Sequence, residues 1–190
     1  SVNPWSIVIQ PSSLIFIRHA PVKKVKDHLP DLDPEAAINH EDIKNVARNI
    51  PFGAEWYVSP LMRTIQTAEA LAKFVTYQNI LTDKYLIEQN FGDWQGKKIS
   101  EVWNELPQDE SKHNFSFICP ETIPPNGDSF LQQCKRVSSW LEELEFPQAR
   151  SIVVITHGGT IRAALTHLLD LAPDKAIGVE ILPLSLTKFE

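Results

Sequence analysis

SIVVITHGGTIRAALTHLLDL, residues 151–171, decides how this chain is read. Its first six residues are almost wholly apolar and β-branched, which suits a central strand buried on both faces. A histidine follows, and then GGTIRAALTHLLDL has the composition and spacing of a helix. A strand that passes straight into a helix is half of a parallel βα unit. SSLIFIRHAP, residues 12–21, begins in the same way: an apolar run ends in Arg18-His19 and stops at Pro21. Each strand therefore carries a histidine at its carboxyl end.

Working outward, strands and helices alternate. A strand at 13–18 leads into a loop at 20–33, and 34–49 reads as a helix with Pro34 in its first turn. Pro51-Phe52-Gly53 breaks the pattern before a strand at 54–59. Ser59 is expected to cap a helix at 61–74, with Pro60 at its first position. Residues 81–98 hold a short strand and a loop in which Gly92 and Gly96 make turns. Helices are expected at 99–106 and 129–145, with an irregular stretch at 107–127 between them. The tail AIGVEILPLSLTKFE, 176–190, gives a last strand pair or an edge strand. No repeat or low-complexity segment interrupts this order. It predicts an α/β fold: a three-layer α/β/α sandwich with a mostly parallel central sheet. Residues 1–190 form one domain, with about 95–128 as a small cap excursion.

Composition narrows the function. The chain has 190 residues, 43% of them hydrophobic, enough for one sizeable core. Its formal net charge of -6 argues against a general nucleic-acid binder. A few arginines can still set the field of one pocket for a small anion. Cys119 and Cys134 are the only cysteines, which gives neither a disulfide framework nor a zinc pattern. A reducing interior is the simplest setting, and a cytoplasmic location is expected. No apolar run approaches the roughly 18 residues of a membrane span, so no membrane partner is expected. The opening SVNPWS lacks the pattern of a signal peptide, and its initial Ser reads as a processed end. There is no dense aspartate cluster for a two-metal phosphatase and no GxxxxGK[ST] loop for a nucleoside triphosphate.

Ligands of open α/β sheets sit beyond the carboxyl ends of the strands. Three such ends carry polar groups: Arg18-His19, Ser59-Pro60 with Arg63 a turn later, and Thr156-His157. Two histidines and two arginines thus converge. A neutral imidazole can attack phosphorus, provided its other ring nitrogen donates a hydrogen bond that fixes the tautomer. Arginine forks match phosphoryl oxygens. Helix N-termini after residues 60 and 158 add backbone donors, and Gly158-Gly159 permits close approach. A leaving alkoxide needs a proton, and IEQNFGDWQG, 87–96, offers two acids for that work, Glu88 and Asp93. The scheme needs no metal and no other cofactor.

RHA at 18–20, SPLMRTIQTA at 59–68, EQNFGDWQG at 88–96 and HGGTIRA at 157–163 resemble the four motifs of the histidine phosphatase (phosphoglycerate mutase-like) superfamily. They occur in family order and span residues 14–165. The resemblance implies a metal-independent phosphoric monoester hydrolase that forms a phosphohistidine on His19. It implies Arg18, Arg63 and His157 as phosphate-pocket groups, and Glu88 as general acid and base. Gly158 then lies against the bound phosphate. Within the superfamily, FGDWQG, PPNGDSF at 124–130 and HGGTIRA resemble the alpha-ribazole phosphatase branch, which implies alpha-ribazole 5'-phosphate as substrate and a place in cobalamin biosynthesis. The stretch after RHAP, VKKVKDHLPD at 22–31, departs from that branch. A phosphoglycerate mutase-like phosphotransferase and a broad sugar or nucleotide phosphatase stay open, as does a module that only binds phospho-ligands. The serine-x-tryptophan-asparagine continuation of the mutases is absent. Position 20 carries Ala where the family has Gly, which removes access to left-handed backbone angles.

Other residues have two readings. Arg63 sits near a helix N-terminus, where the dipole disfavours a cation unless a phosphate is bound. Arg162 belongs at the pocket rim, binding substrate or bridging a carboxylate. Asn126, Gly127, Asp128 and Ser129 either cap the helix at 129–145 or reach the substrate. Trp94, Trp103, Phe115 and Phe117 form either a lid over an aromatic base or the small core of the cap. Lys23, Lys24 and Lys26 make a positive patch able to steer an anion. His28, His40, His113 and His167 have no ligand-like spacing and read as structural. Trp5, Trp56 and Trp140 read as packing residues. The partner expected is a small phosphorylated metabolite; nothing in the sequence sets an oligomeric state.

Overall fold

The computed structural model describes residues 12–106, 119–146 and 150–190. Five strands form one sheet in the order β3-β2-β4-β1-β5. They are β1 (Leu14–Arg18), β2 (Ala54–Val58), β3 (Tyr77–Thr82), β4 (Ile152–Thr156) and β5 (Leu186–Phe189). β4 runs parallel to both β1 and β2, β2 runs parallel to β3, and only the edge strand β5 is antiparallel. β4 is buried along its whole length, as its unbroken apolar run requires.

Among the described residues there are six α-helices: α1 (His40–Ala47), α2 (Met62–Ala72), α3 (Ile99–Glu105), α4 (Phe130–Glu143), α5 (Gly158–Leu168) and α6 (Pro173–Ala176). Successive strand residues point to opposite faces, so each strand feeds two cores. Leu14, Phe16, Ile152 and Val154 pack with α4, α5 and α6. Ile15, Ile17, Val153 and Ile155 pack on the other face with Trp56 and residues of α1 and α2. This is the expected α/β/α sandwich. Trp56 is fully buried, and Trp140 packs edge-on against Tyr57.

A third, smaller cluster joins Trp94, Val102 and Leu106 with Leu29, Phe91 and Trp103. It ties α3 and the loop at 91–94 to the segment after β1. Trp94 and Trp103 lie in this packing. Phe115, Phe117, His113, Trp5 and the middle of the expected cap at 95–128 fall outside the described residues.

Several boundaries differ from expectation. α1 begins at His40, not near Pro34, because the Asn39 side chain accepts from the backbone N–H groups of Glu41 and Asp42 and caps the helix there. In the segment before it, Val22 and Ala36 form an antiparallel bridge. α2 begins at Met62 with Leu61 at the cap position, so Pro60 lies outside it. Asp33 Oδ1, from a distant loop, accepts from the Met62 N–H at 2.6 Å. The third strand lies at 77–82 rather than within 81–98, and it is exposed throughout, which hides it from hydrophobic patterning. α6 had no counterpart in the expected elements. Among the described residues no helix is long and apolar enough to cross a membrane.

Candidate active site

The register brings the three polar strand ends together. Arg18 on β1 pairs with Thr156 on β4, and Val58 on β2 pairs with Ile155. His19, Ser59 and His157 therefore leave the same edge of three neighbouring strands. The chain after β1 and β2 crosses on the α1/α2 face, whereas α5 after β4 packs on the opposite face. The parting of these connections opens a crevice where ligands of such sheets bind.

His19 is 4% exposed, and its ring lies 5.3 Å from that of His157, centroid to centroid. Its Nδ1–H donates to the Ala20 carbonyl at 2.6 Å, which fixes the tautomer and leaves a lone pair on Nε2. Arg63 Nε donates to that Nε2 at 3.3 Å. Burial, and then the positive charges of Arg63, Arg18 and Lys24, outweigh the Ala20 hydrogen bond and push His19 down to about 4. At neutral pH the ring is uncharged and has the lone pair a nucleophile needs. Ala20 is fully buried and does not fall in the left-handed region, so this turn has no need of glycine. Its N–H donates to Thr67 Oγ1 at 2.9 Å, and that hydroxyl donates to the Arg63 carbonyl, joining the histidine loop to α2.

His157 is wholly buried, and its Nε2 pairs with Ser59 Oγ at 2.7 Å. That bond replaces the expected helix cap by Ser59. Among the described residues His157 Nδ1 has no hydrogen-bond partner, an exception for a buried polar atom. Burial, helped by Arg63, holds His157 well below the usual histidine range. Arg18 donates through Nη1 to the Ile181 carbonyl, while among the described residues its buried Nε lacks a partner. Arg162 Nε donates to the Val179 carbonyl at 2.7 Å. The tail at 179–181 thus anchors two guanidinium groups whose sequence positions lie far from each other. A Cβ on Gly158 would stand 3.4 Å from Arg162 Nη1 and 3.5 Å from Arg18 Nε, so both flank the start of α5. Arg63 is 5% exposed and donates through Nη1 to the Leu32 carbonyl at 3.2 Å.

Glu88 reaches this group from the loop after β3. Its Oε1 accepts from the Gln89 N–H at 2.9 Å and from Gln133 Nε2 at 3.1 Å, and Oε2 lies 3.4 Å from the Gly159 N. A Cβ on Gly159 would meet Glu88 Oε1 at 2.2 Å, so a side chain there would displace the carboxylate. Asp93, the other acid of this loop, accepts instead from Asn126 Nδ2 at 3.0 Å. Gly92 has φ +52° and lies against the Pro125 carbonyl, where no side chain has room. Ser129 caps α4, with Gln132 completing a capping box. Asp128 accepts from the Asn90 N–H and faces Arg136 at 3.7 Å.

A cleft of about 230 Å³ opens over Arg18, His19, Arg63 and Glu88, with Lys23, Lys24 and His28 on its wall. A second hollow of about 270 Å³ adjoins it across Arg63, Glu88 and Phe91 and runs to Asp128. Lys26 borders a different hollow, and His40 opens α1. His167 Nδ1 pairs with Ser138. Sequence reading missed the work of Ser59, Gln133, Thr160 and the 179–181 carbonyls. Gln133 alone left a signal, as a polar residue on the apolar face of its helix. Among the described residues no three His, Cys, Asp or Glu are grouped to hold a metal ion.

Fold and pocket together define an α/β protein with a buried, neutral histidine set among arginines at the carboxyl edge of its sheet. Over residues 14–190 the sequence matches the Histidine phosphatase superfamily (branch 1), and the chain belongs to that family. It is 28% identical over 106 residues to a 2,3-bisphosphoglycerate-dependent phosphoglycerate mutase of Cytophaga hutchinsonii, covering 54% of this chain and 48% of that protein. It is 31% identical over 119 residues to phosphoserine phosphatase 1 of Hydrogenobacter thermophilus, covering 60% and 53%. The chain spans about half the length of the curated relatives it matches. In fold it resembles a mycobacterial glucosyl-3-phosphoglycerate phosphatase, with a TM-score of 0.76 at 21% identity over 93% of this chain and 89% of that one. It also resembles a chain provisionally named an alpha-ribazole-5'-P phosphatase from Escherichia coli, with a TM-score of 0.74 at 19% identity over 95% and 91%. Structures of such different names fit about equally well, so the fold does not single out one substrate.

Proposed function

We propose that this chain is a metal-independent phosphomonoesterase that cleaves small phosphorylated metabolites through a phosphohistidine on His19. The observation that carries the reading is the His19 Nε2 lone pair, its tautomer fixed by the Ala20 carbonyl, in a pocket with Arg18, Arg63 and His157. The phosphoryl oxygens take the place of Arg63's contact with Nε2 and accept from the guanidinium groups and from His157 Nδ1. Nε2 bonds to phosphorus as the ester P–O bond breaks, and Glu88 gives its proton to the leaving oxygen. Water then attacks phosphorus, the N–P bond breaks, and Glu88 takes the water's proton.

Alpha-ribazole 5'-phosphate is the substrate favoured by FGDWQG and PPNGDSF, whose segments dock on each other at Gly92 and Pro125. That reading places the protein in cobalamin biosynthesis, and the free thiols of Cys119 and Cys134 agree with a cytoplasmic location. The mutase reading is kept because a named mutase is among the matched relatives. The test is phosphate release, with EDTA present, from alpha-ribazole 5'-phosphate, 3-phosphoglycerate, fructose bisphosphate, nucleoside monophosphates and an aryl phosphate. A kcat/KM for alpha-ribazole phosphate far above the others supports the substrate; comparable low rates reject it and keep the chemistry. His19→Ala abolishes turnover. Glu88→Gln slows alkyl phosphates by about 100-fold or more but aryl phosphates far less, because phenolates leave without a proton. Equal loss on both moves the acid role elsewhere.

A further inference from the structure

Gln133 lies on α4, where its inward neighbours Phe130, Val137, Trp140 and Leu141 are apolar. It is 0% exposed. A buried carboxamide at a position suited to a hydrophobe is costly unless its polar atoms are used. Its Nε2 donates to Glu88 Oε1 at 3.1 Å and to Thr160 Oγ1 at 3.2 Å. The Thr160 hydroxyl in turn lies 3.2 and 3.1 Å from the Leu86 and Ile87 carbonyls, on the strip that carries Glu88. Among the described residues the Gln133 oxygen has no partner. It lies beside the carboxylate: a Cβ on Gly159 would be 3.2 Å from that oxygen and 2.2 Å from Glu88 Oε1.

We propose that Gln133 is a positioning residue for Glu88 in both of its protonation states, donating to the carboxylate and accepting from the carboxylic acid through its unpartnered oxygen. The inference rests on the phosphatase reading above, in which Glu88 alternates between acid and base. When Glu88 has given its proton to the leaving oxygen, the amide N–H faces the new charge. When Glu88 takes a proton from the attacking water, a half-turn of the amide presents the oxygen to the new O–H. Thr160 can donate or accept, so it can serve either amide atom. No apolar residue at position 133 can do both. The charges around Glu88 come from every side: Arg18 after β1, Arg63 on α2, Arg162 on α5, and Asp128 and Arg136 at α4. His19 lines the same cleft as a neutral ring.

The test compares pH profiles of kcat/KM on an alkyl phosphate and an aryl phosphate for wild type, Gln133→Met and Gln133→Glu. Met keeps the length without donor or acceptor, and Glu keeps the shape with a second carboxyl; thermal unfolding selects the variant that retains the fold. The expected result is about a tenfold loss on the alkyl phosphate at neutral pH, with the aryl rate held within about twofold. In Gln133→Glu the alkaline limb on the alkyl phosphate moves to higher pH, since the carboxyl has gained a like charge; in Gln133→Met, which removes donor and acceptor together, it moves less. In a variant that retains the fold, equal loss on both substrates, or in Gln133→Glu an unmoved limb, overturns the proposal. Glu88→Gln is measured in parallel. If it fails to separate alkyl from aryl phosphates, the acid role of Glu88 falls. If it separates them and the Gln133 variants do not, only the role of Gln133 falls.

Discussion

At the scale of the residue, the site is governed by burial. His19 titrates at about 4 instead of 6.5, chiefly because its ring is removed from water among cations. Protonation below that value consumes the lone pair on Nε2. The acid limb of kcat/KM is therefore expected near pH 4, measured on an aryl phosphate to keep Glu88 out of the rate; a limb near 6.5 contradicts it. The same shift acts on folding. Because the folded pKa is below the unfolded one, the stability it confers is present above pH 6.5 and is lost as pH falls toward about 4. Gly159 illustrates the steric counterpart. Gly159→Ala places a methyl 2.2 Å from Glu88 Oε1, so the carboxylate must move. A loss of about tenfold or more on alkyl phosphates, with a smaller loss on aryl phosphates, is expected in steady-state assays.

At the scale of the element, β4 is the axis of both cores and of the site. Val153 and Ile155 face α1 and α2, Ile152 and Val154 face α4 and α5, and His157 follows at the end. Ile155 is fully buried. Ile155→Ala is expected to cost about 2–5 kcal/mol, read from urea unfolding, since the surrounding sheet collapses only partly into the cavity. α5 begins at Gly158, one residue after His157, so its N-terminus opens at the same strand end.

At the scale of the molecule, the field of the cleft opposes the net charge. The chain carries a formal charge of -6, yet Arg18, Arg63, Lys23 and Lys24 line the opening. Among the described residues neither lysine makes an ion pair. Association of a phosphate ester should therefore be steered locally. Lys23→Gln with Lys24→Gln is expected to lower kcat/KM about threefold at low salt with little change in kcat, and the difference should fade as ionic strength rises. A salt-independent loss contradicts steering.

The sequence by itself determined the strand-helix alternation, the sandwich, and the four segments that form the pocket. Those are local properties: β4 is apolar because both its faces are buried, and each polar strand end is visible as a break in an apolar run. The family motif favoured Glu88 over Asp93 as the acid; α1 and β3 were misplaced, because Asn39 overrides Pro34 as a start signal and an exposed edge strand has no apolar pattern. Only the tertiary structure decided the remaining pairings. Ser59 serves His157 instead of α2, Asp33 serves α2 from another loop, the Val179 and Ile181 carbonyls hold Arg162 and Arg18, and Gln133 meets Glu88 from α4. Each joins residues far apart in the chain, through polar atoms whose partners are set by sheet order and helix packing. A hydrogen bond of that kind has no period in sequence; it exists only once the parts that carry it have been packed.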